Sequence, residues 1–132
     1  MCLFCKIANH EIPADIVYED EHVLAFLDIN PTSQGHTLII PKKHYDDFTQ
    51  ASSQLVARIH GVSKLLVKRY DQVLKPQGYN LLSNAKSIAG QSVFHVHFHL
   101  IPRYESGDGL ELHFHSSEQN KLSIETKKKI VI

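Results

Sequence analysis

One amphipathic helix constrains the fold of this chain more than any other feature. Its apolar residues recur at steps of three and four, which places them on one helix face: Leu55, Ile59, Val62, Leu66, Tyr70 and Val73. Thr49 or Ser52 can cap its start. The helix must end by the segment from Lys75 to Gly78, which contains Pro76. It is the clearest helix in the sequence.

Short β-rich runs surround this helix. They predict a hairpin over Ile16–Asp28 that turns at Glu19–Glu21, and strands at His36–Pro41, Tyr79–Asn84 and Val93–Ile101, the last closed by Pro102. Because most of these strands are joined by short turns without intervening helices, an antiparallel α+β sheet fits better than a parallel one. A second, shorter helix is predicted through Lys121–Ile130, capped by Ser116 or Ser117. The 132 residues suit a single domain, residues 1–132.

Charge and hydropathy argue against several classes of partner. Fourteen Lys and Arg residues balance fourteen Asp and Glu residues, so no net field favours nucleic acid or an anionic membrane. The apolar runs are shorter than the roughly 20 residues that cross a bilayer. The first residues lack the features of a secretory signal, so we expect a cytoplasmic protein. The unusual count is that of histidine, which occurs ten times.

Three of these histidines alternate along the predicted strand at Val93–Ile101. Alternation places His95, His97 and His99 on one face and the intervening apolar residues on the other. A row of imidazoles can bind a metal or handle a phosphate group. The preceding segment, from Asn84 to Ser92, offers an amide, a glycine loop and a hydroxyl, which suit a phosphate better than a metal.

The segment His95–Ile101 resembles the signature of the histidine triad (HIT) superfamily, and the chain is most similar to its Hint-like branch. Further matching segments are Phe4–Pro13, Phe26–Asp28, Gly35–His44 and Gly90–Val93, so that the resemblance spans about residues 2–104 and leaves 105–132 as an extension. It implies a five-stranded antiparallel sheet with one long helix and a shorter one. It also implies a homodimer that joins two such sheets.

The resemblance further implies a reaction. Members of this branch cleave purine nucleotides, notably adenosine phosphoramidates, at the α-phosphorus. His97 matches the nucleophile, which forms a nucleotidyl-histidine that water then hydrolyses, and its second ring nitrogen donates to a backbone carbonyl in the family. His99 and His36 match residues that contact phosphate oxygens. Ser92 matches a hydroxyl near the leaving group.

The nucleotide-binding residues are carried over in the same way. Asp28 matches a carboxylate that accepts hydrogen bonds from the ribose hydroxyls, although it could simply end a strand before the Asn30–Pro31 turn. Asn84 matches an amide that binds phosphate, and Gln91, in the matching Gly90–Val93 segment, is assigned with it. Apolar residues that line the purine pocket match three positions near the start of the chain: Phe4, Ile7 and Ile12.

Two cysteines three positions apart suggest a metal site. Cys2 and Cys5 could supply two thiolates to a tetrahedral zinc, which would need two further ligands. Free thiols or a weak redox pair remain alternatives. The resemblance to bacterial and archaeal members adds His44 and His95 as the other ligands of a structural zinc. Strand alternation raises a difficulty, because it places His95 on the same face as His97 and so requires a twist or bulge between the two sites.

Two other functions remain open at this point. The protein could be a dimeric nucleotide-binding scaffold with vestigial catalysis, although an intact His97 favours activity. Alternatively the triad itself could bind a catalytic metal, which predicts that a chelator abolishes turnover. The resemblance ends after Tyr104, so residues 105–132 carry no assignment.

Overall fold

The computed structural model describes all residues from 1 to 132. Five strands and three helices follow one another along the chain in this order: α1 Leu3–Ala8, β1 Ile16–Glu19, β2 Val23–Leu27, β3 Thr37–Pro41, α2 Ser53–Val73, β4 Gly78–Leu82, β5 Phe98–Arg103 and α3 Ile124–Ile130. The strands form one sheet in the order β1-β2-β3-β5-β4. Every neighbouring pair is antiparallel, which confirms the predicted fold class.

The long helix α2 covers one face of the sheet. Ser52 caps it, because its hydroxyl accepts from the amide of Leu55 at 3.1 Å. The apolar side chains of α2 and of this sheet face form one buried cluster: Val23, Ala25, Ile39, Ile59, Val62, Leu66, Tyr70, Val96, Phe98 and Leu100. The helix therefore has the bounds and most of the buried face that its spacing predicted, although Val73 at its end is exposed. Most of the apolar burial in the domain lies on this side.

The opposite face is covered by α1, which the sequence did not predict. The helix has six residues, too few for an apolar period to be recognised. The sulfur of Cys2 caps it by accepting from the amide of Cys5 at 3.3 Å. Phe4, Ile7 and Ala8 pack on a second buried cluster with four sheet residues: Leu24, Phe26, Leu38 and Ile40. The sheet thus has two covered faces of unequal extent.

The histidine segment is not a regular strand throughout. The expected strand at Val93–Ile101 is wrong at both ends, since β5 spans Phe98–Arg103 and the residues before it bend. Pro102 did not close the strand, because it pairs with Tyr79 of β4 and lies beyond the start of β3, whose first residue pairs with Leu100. The predicted division into two faces holds, with Val96, Phe98 and Leu100 in the cluster beneath α2.

Residues 111–132 pack little on the rest of the chain. The last helix, α3, is capped by Ser123 and not by Ser116 or Ser117, so it starts later than expected. Ser117 instead caps a short 3₁₀ turn at Glu118–Asn120. Every residue from Glu111 to Ile132 is exposed. None of the helices is both long and apolar enough to cross a membrane.

Candidate active site and metal site

A pocket of about 390 Å³ opens between α1 and the sheet. Its walls are mostly apolar, and five polar side chains line it: Asp28, Asn30, Ser92, His97 and His99. Phe4, Ile7 and Ile12 line the apolar part. A larger cavity of about 640 Å³ lies beside the start of α2, but it is lined largely by charged residues and contains none of the candidate residues. The chemistry therefore points to the smaller pocket.

His97 is held in one tautomer. Its Nδ1 lies 2.8 Å from the carbonyl oxygen of His95, which can only accept, so Nδ1 carries the hydrogen and donates. Nε2 is therefore left with a free lone pair. Burial lowers the pKa of His97 below its usual range, so the ring is neutral at neutral pH. The edge of the Phe4 ring packs on this imidazole at a centroid distance of 5.1 Å.

His36 and His99 form a second fixed pair. The amide of Thr32 donates to Nδ1 of His36 at 3.1 Å, so the hydrogen of His36 must be on Nε2. That Nε2 donates to Nδ1 of His99 at 2.9 Å, which leaves the hydrogen of His99 on its own Nε2. Burial, with smaller contributions from the neighbouring histidines, lowers the pKa of His99 to about 4. The pocket thus holds one imidazole with a free lone pair and one that presents a hydrogen-bond donor.

Asp28 and Ser92 complete the polar side of the pocket. One oxygen of Asp28 accepts from the amide of Asn30 at 2.8 Å, and the other lies 3.6 Å from Nε2 of His36. The second oxygen can still accept hydrogen bonds from a ligand. Ser92 is exposed at the mouth of the pocket, where its hydroxyl can donate or accept.

Four possible ligand atoms converge at a second site, which could hold a metal ion. The sulfurs of Cys2 and Cys5 and the Nδ1 atoms of His44 and His95 lie 3.1 to 3.6 Å from one another. A tetrahedral zinc with bonds of about 2.0–2.3 Å holds its ligand atoms about 3.3–3.8 Å apart. The four groups therefore fit such an ion closely.

The outer contacts of this cluster favour a metal as well. Nε2 of His95 donates to the carbonyl oxygen of Pro41 at 2.8 Å, and Nε2 of His44 lies 2.9 Å from a carboxylate oxygen of Asp46. Both contacts place the hydrogen on Nε2 and leave Nδ1 free as a ligand. The bend before β5 lets His95 reach the cysteines while His97 stays in the pocket, which resolves the difficulty posed by strand alternation.

A second group of possible ligands does not fit a metal. Asp28, His36 and His99 also lie close together, with ligand atoms within 4.8 Å of one another. However, Thr32 fixes the hydrogen of His36 on Nε2, the atom that would have to bind the ion. The hydrogen bonds at this end of the histidine row instead leave His99 with a donor on Nε2.

The family follows from a match over most of the chain. Residues 9–106 match the HIT domain. The chain belongs to the HIT domain family. This HIT chain is 58% identical to an uncharacterized HIT-like protein of Methanocaldococcus jannaschii, over 83% of either chain. It is 44% identical to the adenosine 5'-monophosphoramidase of Schizosaccharomyces pombe, over 83% of this chain and 79% of that one.

A solved structure agrees with the fold of the HIT chain. The crystal structure of a HIT family protein from Bacillus anthracis superimposes with a TM-score of 0.87 at 43% identity. The match covers 98% of this chain and 91% of that one, so it extends beyond the triad. The resemblance stated from the sequence is therefore confirmed at the level of family and fold.

Three candidate residues of the nucleotide site lie outside the pocket lining of the HIT chain: Asn84, Gln91 and His36, which is buried behind His99. Gln91 is only 4% exposed, and its amide is bound by the backbone: the oxygen accepts from Lys86 at 2.7 Å, and the nitrogen donates to Asp46 and Val93 at 2.5 and 3.1 Å. Asn84 lies beneath Gly90, whose φ of +96° favours glycine. Asn84 and Gln91 both shape the glycine loop that ends at Ser92.

Two residues that contact the candidate histidines gave no signal in the sequence. Ser83 donates from its hydroxyl to the carbonyl oxygen of His97 at 2.8 Å, and Thr32 holds His36 through its amide. The contact of Thr32 uses a backbone group that every non-proline residue has, so its side chain gave no signal. A polar residue at the end of a predicted strand, as at Ser83, is too common to single out.

Proposed function

We propose that the protein is a nucleotide hydrolase or transferase that cleaves purine nucleotides, such as adenosine phosphoramidates, at the α-phosphorus through a covalent nucleotidyl-His97 intermediate. The observation that carries the proposal is the 2.8 Å hydrogen bond from Nδ1 of His97 to the His95 carbonyl, which leaves Nε2 as a neutral nucleophile. The activity in the name of the Schizosaccharomyces pombe relative supports the same reaction class.

The first chemical step forms a bond from Nε2 of His97 to the α-phosphorus and breaks the bond to the leaving group. The electron pair of that bond goes to the leaving amine, which takes a proton that the exposed Ser92 hydroxyl relays from solvent water. His97 keeps its Nδ1 hydrogen and becomes positively charged, which the His95 carbonyl stabilises. The Nε2 hydrogen of His99 is placed to donate to a phosphate oxygen and so offsets the developing charge.

The second step replaces the enzyme by water. A water molecule attacks the phosphorus on the opposite side, the bond to Nε2 breaks, and His97 leaves as a neutral imidazole. The proton of the water passes to solvent, and the products are a nucleoside monophosphate and the free enzyme. Two in-line displacements replace one attack by poorly activated water.

The nucleoside fits the remaining pocket. An apolar wall at Phe4, Ile7 and Ile12 suits a purine ring, and the free oxygen of Asp28 suits the ribose hydroxyls. Because the pocket of about 390 Å³ also contains the reacting imidazole, base recognition and chemistry take place in the same cavity.

The decisive experiment is to trap the intermediate. During turnover of an adenosine phosphoramidate, rapid acid-free quenching and mass spectrometry should find one adenylyl group on the peptide that contains His97. His97→Ala should abolish hydrolysis and the modified peptide while AMP still binds in calorimetry. Nucleotide binding without any turnover by the unaltered protein would instead support a scaffold, and turnover by His97→Ala would refute the mechanism.

We further propose that the metal site holds a structural zinc. Four protein ligands fill a tetrahedral coordination shell and leave no open position for substrate. Bound zinc would supply a fixed link between Cys2 and Cys5 on α1, His44 on the loop after β3, and His95 beside the nucleophile. Two thiolates of this kind persist in a reducing compartment, which fits the cytoplasm.

A homodimer completes the proposal. The edge strand β4 has no partner on its outer side, and Leu81 on it is exposed. Residues 111–132 also expose large apolar side chains, including Phe114 and Ile124. A second copy that pairs with β4 and receives this segment would cover both surfaces. Sedimentation equilibrium should find twice the mass of one chain, and a single chain at micromolar concentration would contradict the proposal.

A further inference from the structure

The turn that follows β5, at 105–110, is fastened to the sheet. Arg103 at the end of β5 donates from Nε to a carboxylate oxygen of Asp108 at 2.6 Å and from an Nη to the carbonyl oxygen of Leu110 at 2.8 Å. The amide of Tyr104 donates to the other oxygen of Asp108 at 3.0 Å. Although the sequence resemblance ends just before it, this turn is as firmly hydrogen-bonded as the elements of the domain.

The same turn packs on the loop that carries Thr32. The hydroxyl of Tyr104 donates to the carbonyl oxygen of Gln34 at 2.7 Å. Gly109 approaches Thr32 so closely that a methyl group added at its Cα would overlap the Thr32 carbonyl. Only glycine permits this approach of one backbone to another. The turn at 105–110 therefore sets the position of the Thr32 backbone, which it contacts at the carbonyl and at the Cα that also carries the amide.

The Thr32 amide in turn determines which ring nitrogens of His36 and His99 carry the hydrogens. If its amide moved away, Nδ1 of His36 could take the hydrogen, for example by donating to the Thr32 hydroxyl, which lies 3.3 Å from it. Nε2 of His36 would then have to accept, and His99 would have to donate from Nδ1. His99 would consequently lose the Nε2 hydrogen that faces the pocket.

We propose that Gly109 and Thr32 are positioning residues: the turn at 105–110 holds the Thr32 amide against His36 and so fixes the hydrogen of His99 on Nε2. The effect of the turn on the tautomers of His36 and His99, which is the structural half of the proposal, follows from these contacts alone. Its effect on turnover rests on the proposed function, in which that hydrogen stabilises charge on the phosphate. The turn is thus a part of the active site that touches no substrate.

Nuclear magnetic resonance of the full chain labelled with ¹⁵N-histidine tests the structural half. The unaltered protein should show His36 and His99 each with a protonated Nε2 and a bare Nδ1. Gly109→Ala should shift both rings toward the opposite tautomer or a mixture of the two. The matched control is Gly107→Asn, because Gly107 has open space around it and its φ of +82° is one that Asn tolerates. The control should leave both tautomers unchanged.

Two further variants separate positioning from general damage. Arg103→Lys loosens the turn without introducing a clash and should shift the tautomers in the same direction, which keeps the test valid if Gly109→Ala folds poorly. Thr32→Val retains the amide but lacks the hydroxyl, so it should keep the tautomers of the unaltered protein. Unchanged tautomers in a folded Gly109→Ala or Arg103→Lys variant would overturn the inference.

Kinetics test the functional half. In Gly109→Ala, kcat should fall by about tenfold or more, the range typical of outer partners that orient an imidazole, while KM changes little. Shifted tautomers with unchanged kcat would overturn the role in turnover. If the unaltered protein hydrolysed no nucleotide, the proposed function would fail, yet the tautomer measurements would still decide the structural half.

Discussion

Replacement of Phe4 by Leu tests whether the short helix α1 positions the nucleophile as well as covering the sheet. Phe4 is 5% exposed, and its ring packs edge-on against three other rings, with centroid distances of 5.6 Å to Phe26, 6.0 Å to His95 and 5.1 Å to His97. Leucine keeps most of the apolar volume but none of these ring contacts. The change therefore removes the ring contacts that hold His97 in place and keeps most of the apolar burial of Phe4.

The expected magnitude follows from these contacts. Swaps that roughly conserve apolar volume cost under about 1.5 kcal/mol, and each aromatic pair adds about 0.5–1.5 kcal/mol beyond burial. We expect the free energy of unfolding to fall by about 2 kcal/mol, within the margin of a domain of this size. Loss of the one contact with His97 corresponds to about a two- to twelvefold fall in kcat/KM.

Urea denaturation followed by circular dichroism measures the first quantity, and initial rates on an adenosine phosphoramidate measure the second. Ile59→Val is the matched control, because Ile59 is fully buried on the α2 side and far from the pocket. It should lose about 0.5–1.5 kcal/mol and keep the kcat/KM of the unaltered protein. If Phe4→Leu loses stability but no activity, α1 is only a cover and the reasoning fails.

Two further predictions concern the proposed zinc and the dependence of stability on pH. The double variant Cys2→Ser, Cys5→Ser should contain no zinc in elemental analysis and should melt at a lower temperature. It should keep measurable turnover, because the proposed zinc is structural. Complete inactivity of the folded variant would refute that role. Burial lowers the pKa of His99 to about 4 from an ordinary 6.5, so between pH 4 and 6.5 the unfolded chain binds more protons than the folded protein. The free energy of unfolding should therefore fall as the pH drops from about 6.5 toward 4. Urea midpoints should show a smaller decline for His99→Gln, and an equal decline would show that other groups cause it.

The sequence predicted the parts of this protein that depend on regular periods. Helix α2 has 21 residues and repeats its apolar residues from Leu55 to Val73, so its bounds and most of its buried face could be inferred, although Val73 is exposed. The antiparallel sheet followed from the short connections between strands. The cysteine pair of the metal site was named from its spacing and the two histidines from the resemblance, and the structure brings all four together.

The features that could not be predicted depend on contacts between distant backbones. The bend before His97 depends on where β3 stops pairing, which no local pattern records. Gly109 reads as one glycine in a polar connection, and only the Thr32 carbonyl beside it shows why glycine is required. Gln91 matches a family segment, yet its buried amide binds the loop backbone instead of lining the pocket.

The side chain and the carbonyl group of His95 serve two different sites, and this depends on the bend before β5. Its side chain faces the cysteines, while its carbonyl oxygen receives the hydrogen of His97. In a regular strand that carbonyl would lie in the plane of the sheet and bond to a neighbouring strand. Grafting the segment His95–His99 onto a straight strand of another protein would therefore reproduce the row of imidazoles without a nucleophile. A transplant that works must carry the irregular backbone along with the histidines.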